Sequence, residues 1–185
     1  MNVCRVAYLE LRRINSIRNL LSVDAVKTLV CSLVLSHLDY CNSLLVGLPQ
    51  HLIKRLQGVK NAAARSILRT PRSEHISPFL QDLHWLPVNR RTIHKVVALC
   101  HTSLSGSGPQ YLSDLTHVYT PARSLRSSSD TRILSTPNFK PKSYGQRSFA
   151  YHSSTTWNSL TLASTGIWLL QASFENSSVF SRLMK

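Results

Sequence analysis

The side chains of this sequence with the widest capacity for chemistry are eight histidines and four cysteines, which could bind a transition metal. The closest group is His94, Cys100 and His101. On a helix, His94 and His101 would share a face two turns apart, which is too far for a single ion, and a fourth ligand would have to come from elsewhere. We therefore expect no metal site.

Carboxylates and glycine-rich loops offer no catalytic pattern either. The sequence has eight Asp and Glu residues, and Asp39, Glu74 and Asp82 are each isolated, so no pair could hold two cations for phosphoryl transfer. The six glycines form no phosphate-binding loop. The Gly106-Ser107-Gly108 run lacks the preceding strand that a hydrolase nucleophile needs. We expect no catalytic residues and no cofactor, and hence no enzyme.

Positive charge is the pattern that remains. Twenty-two Lys and Arg residues against eight Asp and Glu give a formal net charge of +14, which favours a polyanionic partner. Nucleic acid is the first candidate and a membrane surface is the second. The basic residues are spread along the whole chain instead of being gathered on one amphipathic segment, and this distribution disfavours the membrane.

Aromatic residues are interleaved with part of this charge, at Trp85 and around Tyr119, Phe139 and Tyr144. Such rings can stack on exposed bases while cations neutralise phosphates. For any single residue, a solvated basic surface is the alternative explanation. We predict that RNA or DNA is bound without sequence preference by Lys54, Arg55, Lys60, Arg65, Arg69, Arg90, Arg91, Lys95, Arg123, Arg126, Lys140 and Lys142.

Helices must position these residues, because apolar side chains recur at steps of three and four. The spacing predicts one helix over residues 6–21 and a longer one from the N-cap Ser22 to residue 45, ended by Gly47 and Pro49. Further helices are predicted over residues 50–69, 77–85, 89–104 and 145–160. Residues 116–143 are rich in Ser, Thr, Pro and basic residues and have no helical period.

We therefore expect a mainly α fold, in which a small helical bundle is followed by a basic, largely irregular C-terminal arm. The expected divisions are a bundle over residues 1–105, a linker and basic arm over 106–147, and a short helix with a divergent tail over 148–185. The sequence has neither a signal-peptide pattern nor a membrane span, and its scattered cysteines are typical of free, buried thiols. We expect a nuclear or cytoplasmic location.

Several short runs follow one another in a recognisable order. The first are LDYCNSLL at 38–45, GLP at 47–49, LQ at 56–57, NAAAR at 61–65 and HWLPV at 84–88. Later runs are YTPARSLRSS at 119–128, YG at 144–145 and WNSL at 157–160. In order and spacing these runs resemble the region after the polymerase domain in jockey-like reverse transcriptases of LINE-type non-LTR retrotransposons. The resemblance covers residues 9–160.

The resemblance implies helical, thumb-like and C-terminal segments that hold template RNA and target DNA, downstream of an endonuclease and a polymerase. This sequence has neither the nuclease nor the acidic metal-binding motif of the polymerase, so neither activity is carried over. After residue 160 the sequence departs from the family pattern, which usually has a proline where Thr161 stands. The expected function is that of a non-catalytic reverse transcriptase fragment that binds RNA or DNA.

Two other interpretations stay open. The apolar stripe of residues 26–45, together with surfaces that would pack on a missing polymerase domain, favours a protein-interaction module that could also self-associate. Alternatively, the chain is a degenerate translated fragment with no molecular role.

Overall fold

The computed structural model describes residues 2–121, 133–139 and 145–162, which form two compact units, one up to residue 92 and the other from residue 93. Two 3₁₀-helical turns and one π-helical turn occupy Arg18–Leu20, Asn42–Leu45 and Cys31–Leu35, respectively. The α-helices are α1 (Asn2–Ile17), α2 (Val23–Val30), α3 (Ser36–Asp39), α4 (Gln50–Leu68), α5 (Ser77–Asp82), α6 (Val88–Leu104), α7 (Gln110–Ser113) and α8 (Phe149–Leu162). The prediction of a mainly α fold is confirmed.

A stripe of buried side chains holds α1 in the first unit. Ala7, Leu11 and Ile14 recur at steps of four and three and are almost inaccessible to solvent. They belong to the same core cluster as Ala63 of α4, and α1 contacts α4 directly. Arg18 stands four residues after Ile14 and continues the stripe, and it is only 7 % exposed although it carries a charge.

The guanidinium of Arg18 is satisfied by backbone carbonyls. Its Nε donates to the Ser66 carbonyl at 3.1 Å and its Nη2 to the Ile67 carbonyl at 2.9 Å, while Nη1 donates to the Leu21 carbonyl at 3.1 Å. Ser66 and Ile67 lie in the last turn of α4, where carbonyls lack helical partners and the helix dipole is negative. Arg18 therefore joins the end of α1 to the end of α4.

The segment from α2 to α3 begins as the sequence predicts. The Ser22 side chain accepts a hydrogen bond from the Ala25 backbone N–H at 3.3 Å, which confirms Ser22 as the N-cap. Val26, Val30 and Val34 then follow at steps of four and are fully buried. The π-helical turn at Cys31–Leu35 lies in the middle of this stripe.

The prediction that this helix continues to residue 45 is wrong, because α3 ends at Asp39. Tyr40 is extended, and Cys41 adopts a left-handed conformation with φ of 53° before the 3₁₀ turn. The 3₁₀ turn after the break buries Asn42, and the Asn42 side chain acts to lower the pKa of the Asp39 carboxyl. All four cysteines are free thiols, but Cys41 is exposed at this break, so burial was wrongly predicted for it.

Helix α4 matches the helix predicted over residues 50–69. Its buried residues include Val59, Ala63 and Ile67, which the helical spacing placed on one face. Arg69 ends the helix in a left-handed conformation with φ of 55°. Pro78 lies in the first turn of α5, where its missing N–H costs no helical hydrogen bond.

The second unit contains a polar clamp, formed by the side chain of Asn158 on the backbone of Leu134. The Asn158 side chain on α8 accepts a hydrogen bond from the Leu134 N–H at 2.8 Å and donates one to the Leu134 carbonyl at 2.9 Å. Leu134 is 2 % exposed and forms an isolated antiparallel bridge with Val118. One amide thus satisfies both backbone groups of a buried residue that belongs to no helix.

Only part of the segment predicted as an irregular arm is described, and there the backbone has the single turn α7 and the bridge between Val118 and Leu134. Residues 122–132, 140–144 and 163–185 lie outside the described residues. The divisions predicted at residues 105 and 147 stay predictions. Within the described ranges, no helix combines the length and the apolar character that crossing a membrane requires.

Replacing Arg18 by alanine should lower the free energy of unfolding by about 3 kcal/mol, because the carbonyls of Ser66 and Ile67 lose their donor and a cavity forms. Urea unfolding followed by circular dichroism measures this change. The control is Arg13→Ala, which removes an exposed ion pair with Glu10 and should change the value by less than about 0.5 kcal/mol. Equal stabilities for the two variants would contradict the role assigned to Arg18.

The Asn158→Asp substitution should destabilise the second unit by about 2 kcal/mol, because a carboxylate oxygen would replace the donor that faces the Leu134 carbonyl. Asn138→Asp makes the same chemical change at an exposed position and should be close to neutral. Thermal unfolding of both variants at neutral pH checks the difference. A melting curve for Asn158→Asp that coincides with that of Asn138→Asp would argue against the clamp.

Candidate nucleic-acid interface

An open groove of about 780 Å³ runs between α1 and α4 in the first unit. On the α1 side its wall follows one helical face, because Tyr8, Arg12 and Asn15 are spaced by four and three residues, and Asn19 follows in the 3₁₀ turn after α1. The opposite wall comes from α4 and the residues after it. The full lining is Tyr8, Leu11, Arg12, Asn15, Arg18, Asn19, Ala62, Arg65, Ser66, Arg69, Thr70 and Arg72.

The groove carries charge of one sign. Five of its twelve lining residues are arginines, and no Asp or Glu occurs among these described lining residues. Guanidinium groups stay protonated at all physiological pH values and present planar sets of donors that fit phosphate and carboxylate oxygens. The groove therefore offers a concentrated positive potential with donors reaching in from both walls.

Hydrogen bonds to neutral groups hold part of this charge in place. Arg69 Nη2 donates to the Asn19 side-chain oxygen at 3.0 Å, which links the two walls. Arg65 Nη2 donates to the Glu74 backbone carbonyl at 3.1 Å. These bonds orient the guanidinium groups without neutralising them, so their charge remains available to an anion.

Two polar atoms of the groove lining lack a partner. Arg65 Nε and Thr70 Oγ1 are buried and make no hydrogen bond within the described part of the chain. Buried polar atoms are paired in most proteins, and an unpaired one costs free energy. Both atoms are shielded from solvent and so are not themselves open to a ligand in the groove.

The structure separates the predicted binding residues into several groups. Arg65 and Arg69 line the groove. Lys54, Arg55 and Arg90 are exposed elsewhere and Lys95 is half-buried. The predicted positions Arg123, Arg126, Lys140 and Lys142 lie outside the described residues. The remaining two, Lys60 and Arg91, belong to a partly buried polar cluster away from the groove.

Sequence reasoning missed Arg12 and Arg72, which also line the groove. A signal for Arg12 was present, because Tyr8, Arg12 and Asn15 form a polar stripe at helical spacing on the side of α1 that borders its buried face. Arg72 follows α4 in an irregular turn, where no periodic pattern could indicate its direction.

The polar cluster centres on an ion pair. Arg91 Nη2 lies 2.8 Å from Asp39 Oδ2, and Asn42 lines the same small cavity as both residues. Burial raises the pKa of the Asp39 carboxyl, while the charges of Arg91 and Lys60 oppose that rise. Both side chains of the ion pair are about one quarter exposed, so the contact links the α3 region to the start of α6 near the surface.

Lys60 is the buried member of the cluster. It is 2 % exposed, its ammonium donates to the Leu86 carbonyl, and it lies 5.8 Å from the ring centre of Trp85. Burial lowers the pKa of Lys60 from 10.5 to about 8, and the positive charge of Arg91 adds to the effect. As folded, the ammonium of Lys60 is directed at the protein backbone and not at solvent.

A neighbouring glutamine completes this network. Gln57 Oε1 accepts a hydrogen bond from the Val88 N–H at 2.8 Å, which satisfies a free donor at the start of α6. Its Nε2 donates to Asn61 at 2.7 Å. Gln57 of the LQ run therefore bonds directly to Val88 of the HWLPV run. Asp39 and Asn42 of the LDYCNSLL run line the same small cavity as Val88.

The comparisons with known proteins and the search for metal ligands give no further assignment. No protein-family model, no curated protein and no solved structure matches the chain. Within residues 2–121, 133–139 and 145–162, no three His, Cys, Asp or Glu side chains are grouped so that they could hold a metal ion.

The Lys60→Met variant should change the pH dependence of stability. Between pH 8 and 10.5 the unfolded chain holds a proton on Lys60 that the folded chain has lost, so raising the pH favours the folded wild type. Relative to Lys60→Met, the free energy of unfolding of the wild type should rise by about 3 kcal/mol across this window.

Urea unfolding at a series of pH values measures this difference. Burial also raises the pKa of Cys100, but this effect occurs in both proteins and cancels in the comparison. Burial raises the pKa of Cys31 as well, and because the charge of Lys60 opposes that rise, the coupling of Cys31 to Lys60 is part of the measured difference. Lys54→Met, at an exposed position, serves as the control and should show no such pH dependence. A constant or falling difference for Lys60→Met would contradict the lowered pKa.

Proposed function

We propose that the first unit binds nucleic acid without sequence preference, by placing the phosphate backbone in the arginine groove between α1 and α4. The observation that carries this proposal is the groove lining, which includes five arginines and, among its described residues, no carboxylate. A phosphate chain supplies repeated negative charge and several acceptors per unit, which matches donors that reach in from two walls.

The charge of the whole chain supports the same conclusion. A formal net charge of +14 attracts polyanions over the whole surface, and the groove gives this attraction a place where it is concentrated. Binding through phosphates releases condensed counterions, so the affinity depends on salt and hardly on sequence. No base-reading residue needs to be assigned.

The resemblance to the post-polymerase region of LINE-type reverse transcriptases fits this proposal, since that region holds template RNA and target DNA. We propose that the chain is a non-catalytic portion of such a protein. The runs that carry the resemblance supply Asp39, which pairs with Arg91, and the bond between Gln57 and Val88, so their part in the proposal is to hold the first unit together.

Charge removal in the groove tests the proposal. The double substitution Arg12→Gln with Arg72→Gln should weaken nucleic-acid binding at least about tenfold at moderate salt, because two phosphate contacts are lost. It should also reduce the slope of log K against log salt by about 2. Fluorescence anisotropy with labelled oligonucleotides over a salt series measures both quantities.

The matched control is Lys54→Gln with Arg55→Gln, which removes the same charge from an exposed part of α4 outside the groove. The control should retain most of the affinity. Equal losses in the two double variants would show that net charge alone drives binding, and salt-insensitive binding by the wild type would exclude phosphate contacts. Either result would overturn the groove as the binding site.

A further inference from the structure

One aromatic side chain opens into the arginine groove. Tyr8 is the aromatic member of the described groove lining and is 47 % exposed, so much of its ring surface is accessible. Its hydroxyl lies 3.4 Å from the point where a side chain at Gly58 would begin, which places the hydroxyl end of the ring beside the bare backbone of α4. The hydroxyl end of Tyr8 thus lies close to α4, and the side chain is partly exposed along the groove.

The position of Tyr8 relative to the arginines is set by the helix. Arg12 stands one turn further along the same face of α1, about 6 Å away between Cβ atoms. Asn15 continues this face about 10 Å from Tyr8 along the helix axis, and Asn19 follows in the 3₁₀ turn after α1. The exposed ring is therefore followed along α1 by one cation, Arg12, and further arginines reach the groove from α4 and the residues after it.

A duplex and a single strand differ in the base surface that they can present to Tyr8. In a duplex the bases are stacked on one another and present only their edges. An unpaired base has a free face, and such a face can stack on a tyrosine ring.

We propose that the arginine groove is a site for single-stranded nucleic acid, in which one base stacks on Tyr8 while the adjoining phosphates contact Arg12 and the arginines of α4. This inference rests on the proposed function and adds the strand state of the ligand. A duplex contacts the arginines of the groove through its phosphates, but it gains no stacking energy from Tyr8.

The test compares labelled single-stranded oligothymidylate with a hairpin duplex of similar charge, in anisotropy titrations of the full chain at one salt concentration. Wild type should bind the single strand more tightly. Tyr8→Ala should weaken single-strand binding by roughly 5- to 100-fold, the range expected for loss of one stacked base, and leave duplex binding unchanged. Tyr8→Phe should retain the wild-type preference.

Two controls separate stacking from folding. Tyr8→Leu keeps an apolar side chain that favours helix but lacks an aromatic face, so it should reproduce the loss seen with alanine while retaining the wild-type circular dichroism spectrum. Tyr40→Ala removes a tyrosine that is 83 % exposed outside the groove and should leave binding to both ligands unchanged.

The possible failures are distinguishable. If the wild type binds neither oligonucleotide at low salt, the proposed function itself is wrong. If it binds both equally, or if Tyr8→Leu binds the single strand as well as wild type does, the groove binds phosphates without selecting single strands. That result would overturn the present inference and leave the proposed function standing.

Discussion

The buried guanidinium of Arg18 is the interaction on which the first unit most depends. A charge in a core is costly unless it is hydrogen-bonded. All three nitrogens of Arg18 donate, to the Ser66 and Ile67 carbonyls that the end of α4 leaves free and to the Leu21 carbonyl. The same contact fixes how α1 lies against α4, and so sets the separation of the two groove walls. Arg18 of the groove lining thus holds α1 against α4, and Arg12, Arg65 and Arg69 face a common space.

The first unit uses its basic residues in two different ways. In the groove, arginines hydrogen bond to neutral oxygens and retain their charge, whereas in the polar cluster Arg91 is paired with Asp39 and Lys60 is buried on a carbonyl. Net charge alone does not distinguish these groups. The distinction arises from the neighbours of each side chain, and it separates residues that hold the fold from residues available to a polyanion.

The helices could be predicted from sequence because apolar periodicity reflects burial along one element, as Val59, Ala63 and Ile67 illustrate. The early end of α3 could not, because the apolar pattern continues to residue 45 while the backbone leaves the helix at Tyr40 and Cys41. Among the residues that line the groove, the sequence predicted only Arg65 and Arg69 as nucleic-acid-binding. The other wall of the groove comes from a helix some fifty residues earlier, and packing between distant segments leaves no periodic trace in either one.

The π-helical turn at Cys31–Leu35 fixes how many residues this segment can contain. Val26, Val30, Val34 and Leu38 are buried at steps of four, although in an α-helix each such step overshoots a full turn by about 40°. The π-helical turn absorbs this drift, so that the stripe stays on one face. Residue number in this segment is therefore as constrained as residue type. One insertion or deletion would rotate everything that follows, and the carboxylate of Asp39 would no longer meet Arg91.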